Sequence, residues 1–150
     1  MIRYKKQDIT EVTYGIICHG VNCQGVMGSG VAKAIKEKWP EVYETFINNG
    51  SGAELLGTIS LTKPTGFPKL AVYNCYTQEY YGRDGRAYAS TEAIRDALYM
   101  VCNIAAITGE IVHIPKIGCG LGGLSWGEDV EPIIKSLADS REVTVWVYEI

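Results

Sequence analysis

The chain has 150 residues, 47% of them hydrophobic, enough for one domain with a proper core. Its 14 lysines and arginines against 17 aspartates and glutamates give a net charge of −3, with no basic tail or block. That argues against a large nucleic-acid footprint but leaves room for a phosphate ligand, because backbone N–H groups hold one without lysines.

Ile2-Arg3-Tyr4-Lys5 alternates and predicts an edge-like first strand. Gln7-Asp8-Ile9-Thr10 follows as a polar turn, where Asp8 is either a cap residue or an acceptor for an amino group. Residues 15–18, Gly-Ile-Ile-Cys, read as a short buried strand, with His19, Asn22 and Gln24 as the polar groups at its end. Gly25-Val26-Met27-Gly28-Ser29-Gly30 places three glycines in six residues. Val31, Ala34, Ile35 and Trp39 then recur at helical spacing, with Lys33, Lys36, Glu37 and Lys38 opposite. Strand, polar turn, glycine loop and helix in that order build a nest for an anion: glycines let backbone N–H groups come close, and the helix start adds unpaired donors.

Pro40 interrupts or restarts the helix, and Val42, Tyr43, Phe46 and Ile47 carry a short amphipathic one to Asn48-Asn49-Gly50. Residues 55–61 predict a strand with Gly57 as a possible bulge, and Lys63-Pro64-Thr65-Gly66 a turn. Residues 70–76 are the next strand. The loop 77–86 is polar, aromatic and long for a plain connection, which favours a functional role. Residues 87–107 predict the longest helix, with Ala93, Ile94, Ala97, Leu98, Val101 and Ile104 on its packed face. Residues 111–115 are a short central strand, 116–125 a second glycine loop, 126–139 a helix with Glu128 and Asp129 in its first turn, and 143–150 a closing strand. The alternation of strand and helix predicts an α/β layered domain over residues 1–150 with helices on both faces of the sheet.

The five cysteines form no CxxC pair; Cys18, Cys75 and Cys102 fall in apolar segments, while Cys23 and Cys119 fall in the loops. With no signal peptide and no apolar run long enough for a bilayer, a reducing, cytoplasmic setting without membrane attachment is expected. His19 and His113 lack zinc spacing, so no metal and no cofactor are expected. The second loop, Ile117-Gly118-Cys119-Gly120-Leu121-Gly122-Gly123, repeats the character of the first. Loops at the carboxyl ends of strands meet over one crevice, so two such loops can clasp a pyrophosphate. Neither matches a dinucleotide GxGxxG in its proper context, and no GKS or GKT ending marks a triphosphate loop.

Taken together, Asp8-Ile9-Thr10, His19-Gly20-Val21-Asn22, Gly25 to Ala32, Ile114-Pro115 to Gly122 and the last strand with Tyr148 resemble the macro domain, the ADP-ribose-binding module. The match runs nearly end to end, and it is most similar to the small branch of ADP-ribose-1''-phosphate phosphatases and ADP-ribosyl hydrolases. The resemblance implies a three-layer α/β/α sandwich with a six-stranded mixed sheet. It implies that Asp8 accepts from the adenine amino group, that the Ile9 backbone holds the adenine edge, and that Tyr148 packs on the ring. The backbone of Gly25, Val26, Met27, Gly28, Ser29, Gly30 and Val31, with that of Ile117, Gly118, Cys119, Gly120, Leu121 and Gly122, would cradle the phosphates. Asn22 would bond the distal ribose, and His19 resembles the histidine of the yeast-type phosphatases.

One departure stands out. The branch that removes ADP-ribose from glutamate uses a lysine near the strand after residue 70 and an aspartate in the second loop. Here that strand runs into Cys75-Tyr76-Thr77-Gln78, and Gly122 stands where the aspartate is expected. The thymidine-directed branch, which also uses a lysine there, weakens equally.

Attack of water on the 1''-phosphate needs a base, a proton for the departing sugar oxygen, and donors for the phosphoryl oxygens. His19 is the candidate base or acid and Asp84 its candidate partner in the long loop. Each has a plain alternative, as a hydrogen-bonding or exposed turn residue. Gln78, Tyr81, Arg83 and Arg86 are candidates for the distal phosphate. Tyr76, Tyr80 and Tyr81 form either a lid or an interface. Trp39, Trp126 and Trp146 are expected to pack. The expected function is hydrolysis of ADP-ribose-1''-phosphate by a monomer. The alternatives are deacetylation of O-acetyl-ADP-ribose, release of ADP-ribose from a macromolecule, or reading of ADP-ribose without turnover.

Overall fold

The computed structural model describes residues 1–82, 84 and 86–149. Six strands form one sheet: β1 (Ile2–Lys6), β2 (Gly15–Asn22), β3 (Ile59–Thr62), β4 (Leu70–Gln78), β5 (Val112–Ile114) and β6 (Val145–Glu149). Their order is β1-β6-β5-β2-β4-β3. All neighbours run parallel except β3, which lies antiparallel to β4 at the edge. Among the described residues the α-helices are α1 (Gly30–Lys38), α2 (Pro40–Asn48), α3 (Thr91–Thr108) and α4 (Glu131–Arg141).

The period of two along β2 sorts the layers. Ile16 and Cys18 face α3 and α4, packing with Ile94, Leu98, Val101, Ile134 and Ala138. Ile17 faces α1 and α2 with Ile35, Trp39 and Val42, and Val21 packs beyond it with Phe46 and Tyr76. The expected mixed sheet between two helical layers is therefore present. Among the described residues no helix is long and apolar enough to cross a membrane.

Several boundaries differ from expectation. Strand β2 does not stop at Cys18. Its register with β4 continues through His19↔Asn74 and Gly20↔Cys75 to Asn22↔Gln78, because the long apolar β4 supplies partners for the whole run. Helix α3 starts at Thr91 rather than 87: the Ser90 hydroxyl accepts from Ala93 N–H at 3.1 Å, an N-cap that fixes the first turn. Residues 126–139 are not one helix. A wide turn, Trp126–Val130, precedes α4, whose first turn carries Pro132, a residue with no N–H to donate. The strand expected over 55–61 divides into a short turn, Ala53–Leu55, and β3.

Candidate active site

Because β2, β4 and β5 are parallel, their carboxyl ends open onto one edge of the sheet, where crevices of α/β folds form. A cleft of about 430 Å³ lies there. Its walls are residues 26–32 after β2, Thr77, Gln78, Tyr81 and Gly82 at the end of β4, and residues 115–122 after β5, with Gly20, Val21 and Asn22 between. The two glycine loops thus share one cleft.

Asn22 shapes the first loop. Its Oδ1 accepts from Gln24 N–H at 2.9 Å and Val26 N–H at 3.3 Å, while Nδ2 donates to Val26 O at 2.7 Å. These bonds turn the chain back on itself, a side-chain substitute for a backbone turn. Met27 anchors the loop by burying its side chain beside Val21, Cys23, Phe46 and Tyr76. Ser29 precedes α1, and its hydroxyl makes no capping bond, so the first N–H groups of α1 have no cap from it and point toward the cleft's end of the helix. Asn22→Ala is expected to lower stability by about 1–2 kcal/mol and the melting temperature by about 3–6 °C. Calorimetric titration is expected to show about a tenfold loss of affinity for the ligand proposed below.

The second loop is held from behind. Gly122 O accepts from Tyr88 N–H at 2.9 Å and Ala89 N–H at 3.0 Å, which stitches this loop to the connection between β4 and α3. Leu124 N–H donates to Gly118 O at 3.0 Å. Cys119 lines the cleft, but burial raises its thiol above the ordinary range, so it stays protonated and is a poor nucleophile.

Of the residues expected at the site, Asn22, Val26, Met27, Gly28, Ser29, Gly30, Val31, Ile117, Gly118, Cys119, Gly120, Leu121 and Gly122 line the cleft. Gly25 lies in the Asn22 turn just outside it, with φ +76°. Asp8 and Ile9 stand at the end of β1, on the same sheet edge but beyond the cleft wall. Asp8 Oδ1 accepts from Thr10 N–H at 2.9 Å and Thr10 Oγ1–H at 2.8 Å. Those bonds lower its pKa and cap a short turn, Ile9–Glu11.

Three expectations need correction. His19 does not face the cleft. It sits within β2, wholly buried on the α1/α2 side between Ile17 and Val21. Its Nε2 lies 2.6 Å from Asn74 Oδ1, and Asn74 Nδ2 donates to Ser60 Oγ at 3.1 Å. The Asn74 oxygen must therefore accept, which fixes His19 as the Nε2–H tautomer. Burial, against the favourable Asn74 bond, brings its pKa down to about 4. Tyr148 is a core residue, packed beside Ile9, Val12 and Ile17, with its hydroxyl 2.7 Å from His113 Nδ1. Burial pushes its pKa up to about 12, and it presents no face to the cleft. Asp84 is exposed and bound within its own loop, accepting from the Tyr88 hydroxyl at 2.8 Å, Arg86 Nε at 2.8 Å and Arg86 N–H at 3.2 Å. These bonds, Tyr88 foremost, lower its pKa, so it is a carboxylate without a proton to give. It is not among the cleft residues, and Arg83 lies outside the described residues.

The model of the macro domain family matches residues 18–134. The chain belongs to the macro domain family. It is 28% identical over 152 residues to a DNA ADP-ribosyl glycohydrolase of Thermus aquaticus, which covers 99% of this chain but only 41% of that protein. The chain thus spans about two fifths of that relative's length. It is 29% identical over 164 residues to an ADP-ribose 1''-phosphate phosphatase of Scheffersomyces stipitis, covering 90% of this chain and 94% of that one. Among solved structures, the macrodomain of Thermus aquaticus DarG superposes with a TM-score of 0.79 at 26% identity, over 100% of this chain and 99% of that one.

The chemistry this macro domain puts in its cleft is mostly backbone and neutral. Among the described residues no histidine or carboxylate lines it; Lys116, Tyr81 and Cys119 are the side chains there with an ammonium, phenol or thiol group. Lys116 was not anticipated as a site residue. It follows β5, and its Nζ lies 3.6 Å from Glu149 Oε1 at the end of β6. Thr77, expected at the start of the long loop, instead lies within β4, is buried and also lines the cleft. Backbone N–H groups of two glycine loops and one helix start, with the Ser29 and Thr77 hydroxyls, the Gln78 amide, Tyr81 and Lys116, are the groups in the wall that can act on a ligand.

Proposed function

We propose that the cleft binds ADP-ribose, with the pyrophosphate between the two glycine loops, and that the reaction served is hydrolysis of ADP-ribose 1''-phosphate to ADP-ribose and phosphate. The observation that carries the binding is the facing of two backbone nests across one crevice, a donor set suited to a diphosphate without need of lysines. The adenine then lies toward the ends of β6 and β1, where Asp8 Oδ2 accepts from the amino group and the Ile9 backbone holds the ring edge. From β2 to β1 is three strand spacings, about 14 Å, the scale of an extended nucleoside diphosphate sugar. The phosphatase relative of nearly equal length supports the choice of ester. The end of β4 at Thr77-Gln78 supports it too, since it offers no lysine for a covalent sugar adduct.

In this reading the glycine-loop N–H groups hold the phosphoryl oxygens while water attacks phosphorus and the bond from phosphorus to the C1'' oxygen breaks; a phosphoryl oxygen takes a proton from the water and the departing sugar oxygen receives one in return, leaving phosphate and ADP-ribose. His19 and Asp84 play no direct part. A second reading, binding without turnover, is favoured by the lack of a lining histidine or carboxylate among the described residues.

One experiment separates them: phosphate release from ADP-ribose 1''-phosphate, with ADP-ribose affinity measured on the same samples. Wild type is expected to do both, and Asp84→Ala to keep its rate within about threefold, below the 10²–10⁴-fold loss of a general acid or base. Binding with no phosphate release selects the reader. No affinity for ADP-ribose sinks both.

A further inference from the structure

We infer that Gln78 reads a hydroxyl of the sugar beyond the pyrophosphate, through Oε1 acting as a fixed acceptor; this rests on the ADP-ribose reading above. Gln78 is the last residue of β4, half-buried, with its side chain in the cleft wall. Its Nε2 donates to Tyr80 O at 2.7 Å. A carbonyl only accepts, so the amide nitrogen has to face Tyr80 and the oxygen has to point the other way. Oε1 lies 3.5 Å from where a Cβ on Gly122 would stand, so it is set against the second glycine loop, which also lines the cleft.

The main chain is clamped as well. Gln78 bridges Ala89, and Ala89 N–H donates to Gly122 O at 3.0 Å. The acceptor is thus locked in place before any ligand arrives, which spares the cost of ordering it on binding.

Its sign is what makes it informative. The glycine loops and Ser29 present donors, as an anion requires. An acceptor set in the same wall repels a phosphate oxygen and attracts an O–H. Gln78 therefore marks the point where the bound molecule changes from phosphate to sugar, and it selects a ligand with a hydroxyl there.

The test is a cycle of two ligands and two proteins, read by calorimetric titration. ADP-ribose and ADP differ only by the distal ribose. Gln78→Met keeps the length of the side chain and removes the amide. The variant is expected to lose about tenfold in affinity for ADP-ribose and nothing for ADP. On the unaltered protein, one of the 2''- and 3''-deoxy forms of ADP-ribose is expected to show the same tenfold loss. Equal losses for ADP-ribose and ADP would mean that Gln78 only holds the loop to Tyr80, and would overturn the inference. So would an unchanged ratio, or full affinity for both deoxy ligands, a result independent of how the variant folds. Wild-type protein that binds neither ADP-ribose nor ADP would instead remove the functional reading itself.

Discussion

Gly28→Val is expected to weaken ADP-ribose binding by about a hundredfold or more while the melting temperature stays within about 2 °C of wild type. Gly28 lines the cleft, and a Cβ built on it meets nothing nearer than Val26 Cγ1 at 3.7 Å. The backbone there is not left-handed, so the side chain is accepted by the protein alone. On the proposed reading, the space it takes is that of the phosphates. Gly118 is the necessary contrast. It lines the opposite wall at φ +80°, and a Cβ there falls 2.7 Å from Ile94 Cδ1 and 3.1 Å from Leu124 Cδ1. Ile94 belongs to the packed face of α3 and is wholly buried, so it cannot retreat cheaply.

Gly118→Val should therefore cost roughly 3–5 kcal/mol, from left-handed backbone strain plus overpacking, and lower the melting temperature by about 6–15 °C. Two glycines in facing loops thus differ: one borders open space in the cleft, the other lets a loop lie against a helix. Thermal melts and titrations on both variants check the pair. A Gly28→Val protein that binds ADP-ribose normally would move the phosphates away from this loop.

The glycine loops were legible because their signal is local: three glycines in six residues after an apolar strand, then a helical period. The Asn22 turn was also within reach, since all its bonds close within four residues. The errors fall where the partner is distant. His19 looked like the polar end of a strand because the group that satisfies it, Asn74, is 55 residues away. Tyr148 is given to the adenine ring by the resemblance alone, and its partner, His113, is 35 residues away. A buried polar side chain and an active-site side chain leave the same mark in a sequence, and only strand pairing tells them apart, β2 on β4 for His19 and β5 on β6 for Tyr148. The start of α3 is a different kind of miss. Ser90 followed by Glu92 and Ala93 was a readable cap, but the alanines at 87 and 89 extended the helical pattern upstream of it.

Those two buried histidines carry the second large expectation: the fold is acid-labile between pH 6.5 and 4. Both have an ordinary pKa of 6.5 brought down to about 4, chiefly because burial disfavours the charged ring. In that window the unfolded chain binds protons that the folded chain refuses, so stability rises with pH and falls on acidification. The contribution is complete above pH 6.5 and is lost as pH drops toward 4. At about 1.4 kcal/mol per pKa unit, each histidine accounts for on the order of 3 kcal/mol. Two together rival the ~5–15 kcal/mol that a domain of this kind has in total. Asp8 and Asp84, whose pKa values are lowered, add losses of the same sign at still lower pH. Urea unfolding at pH 7, 6, 5 and 4.5 should show the midpoint falling steadily. His19→Gln, which retains a donor for Asn74, and His113→Gln should each flatten that slope by about half. A midpoint constant from pH 7 to 5 would mean that the rings protonate in place. Since neither histidine lines the cleft, acid should abolish ligand binding only as the protein unfolds, and the two transitions should coincide.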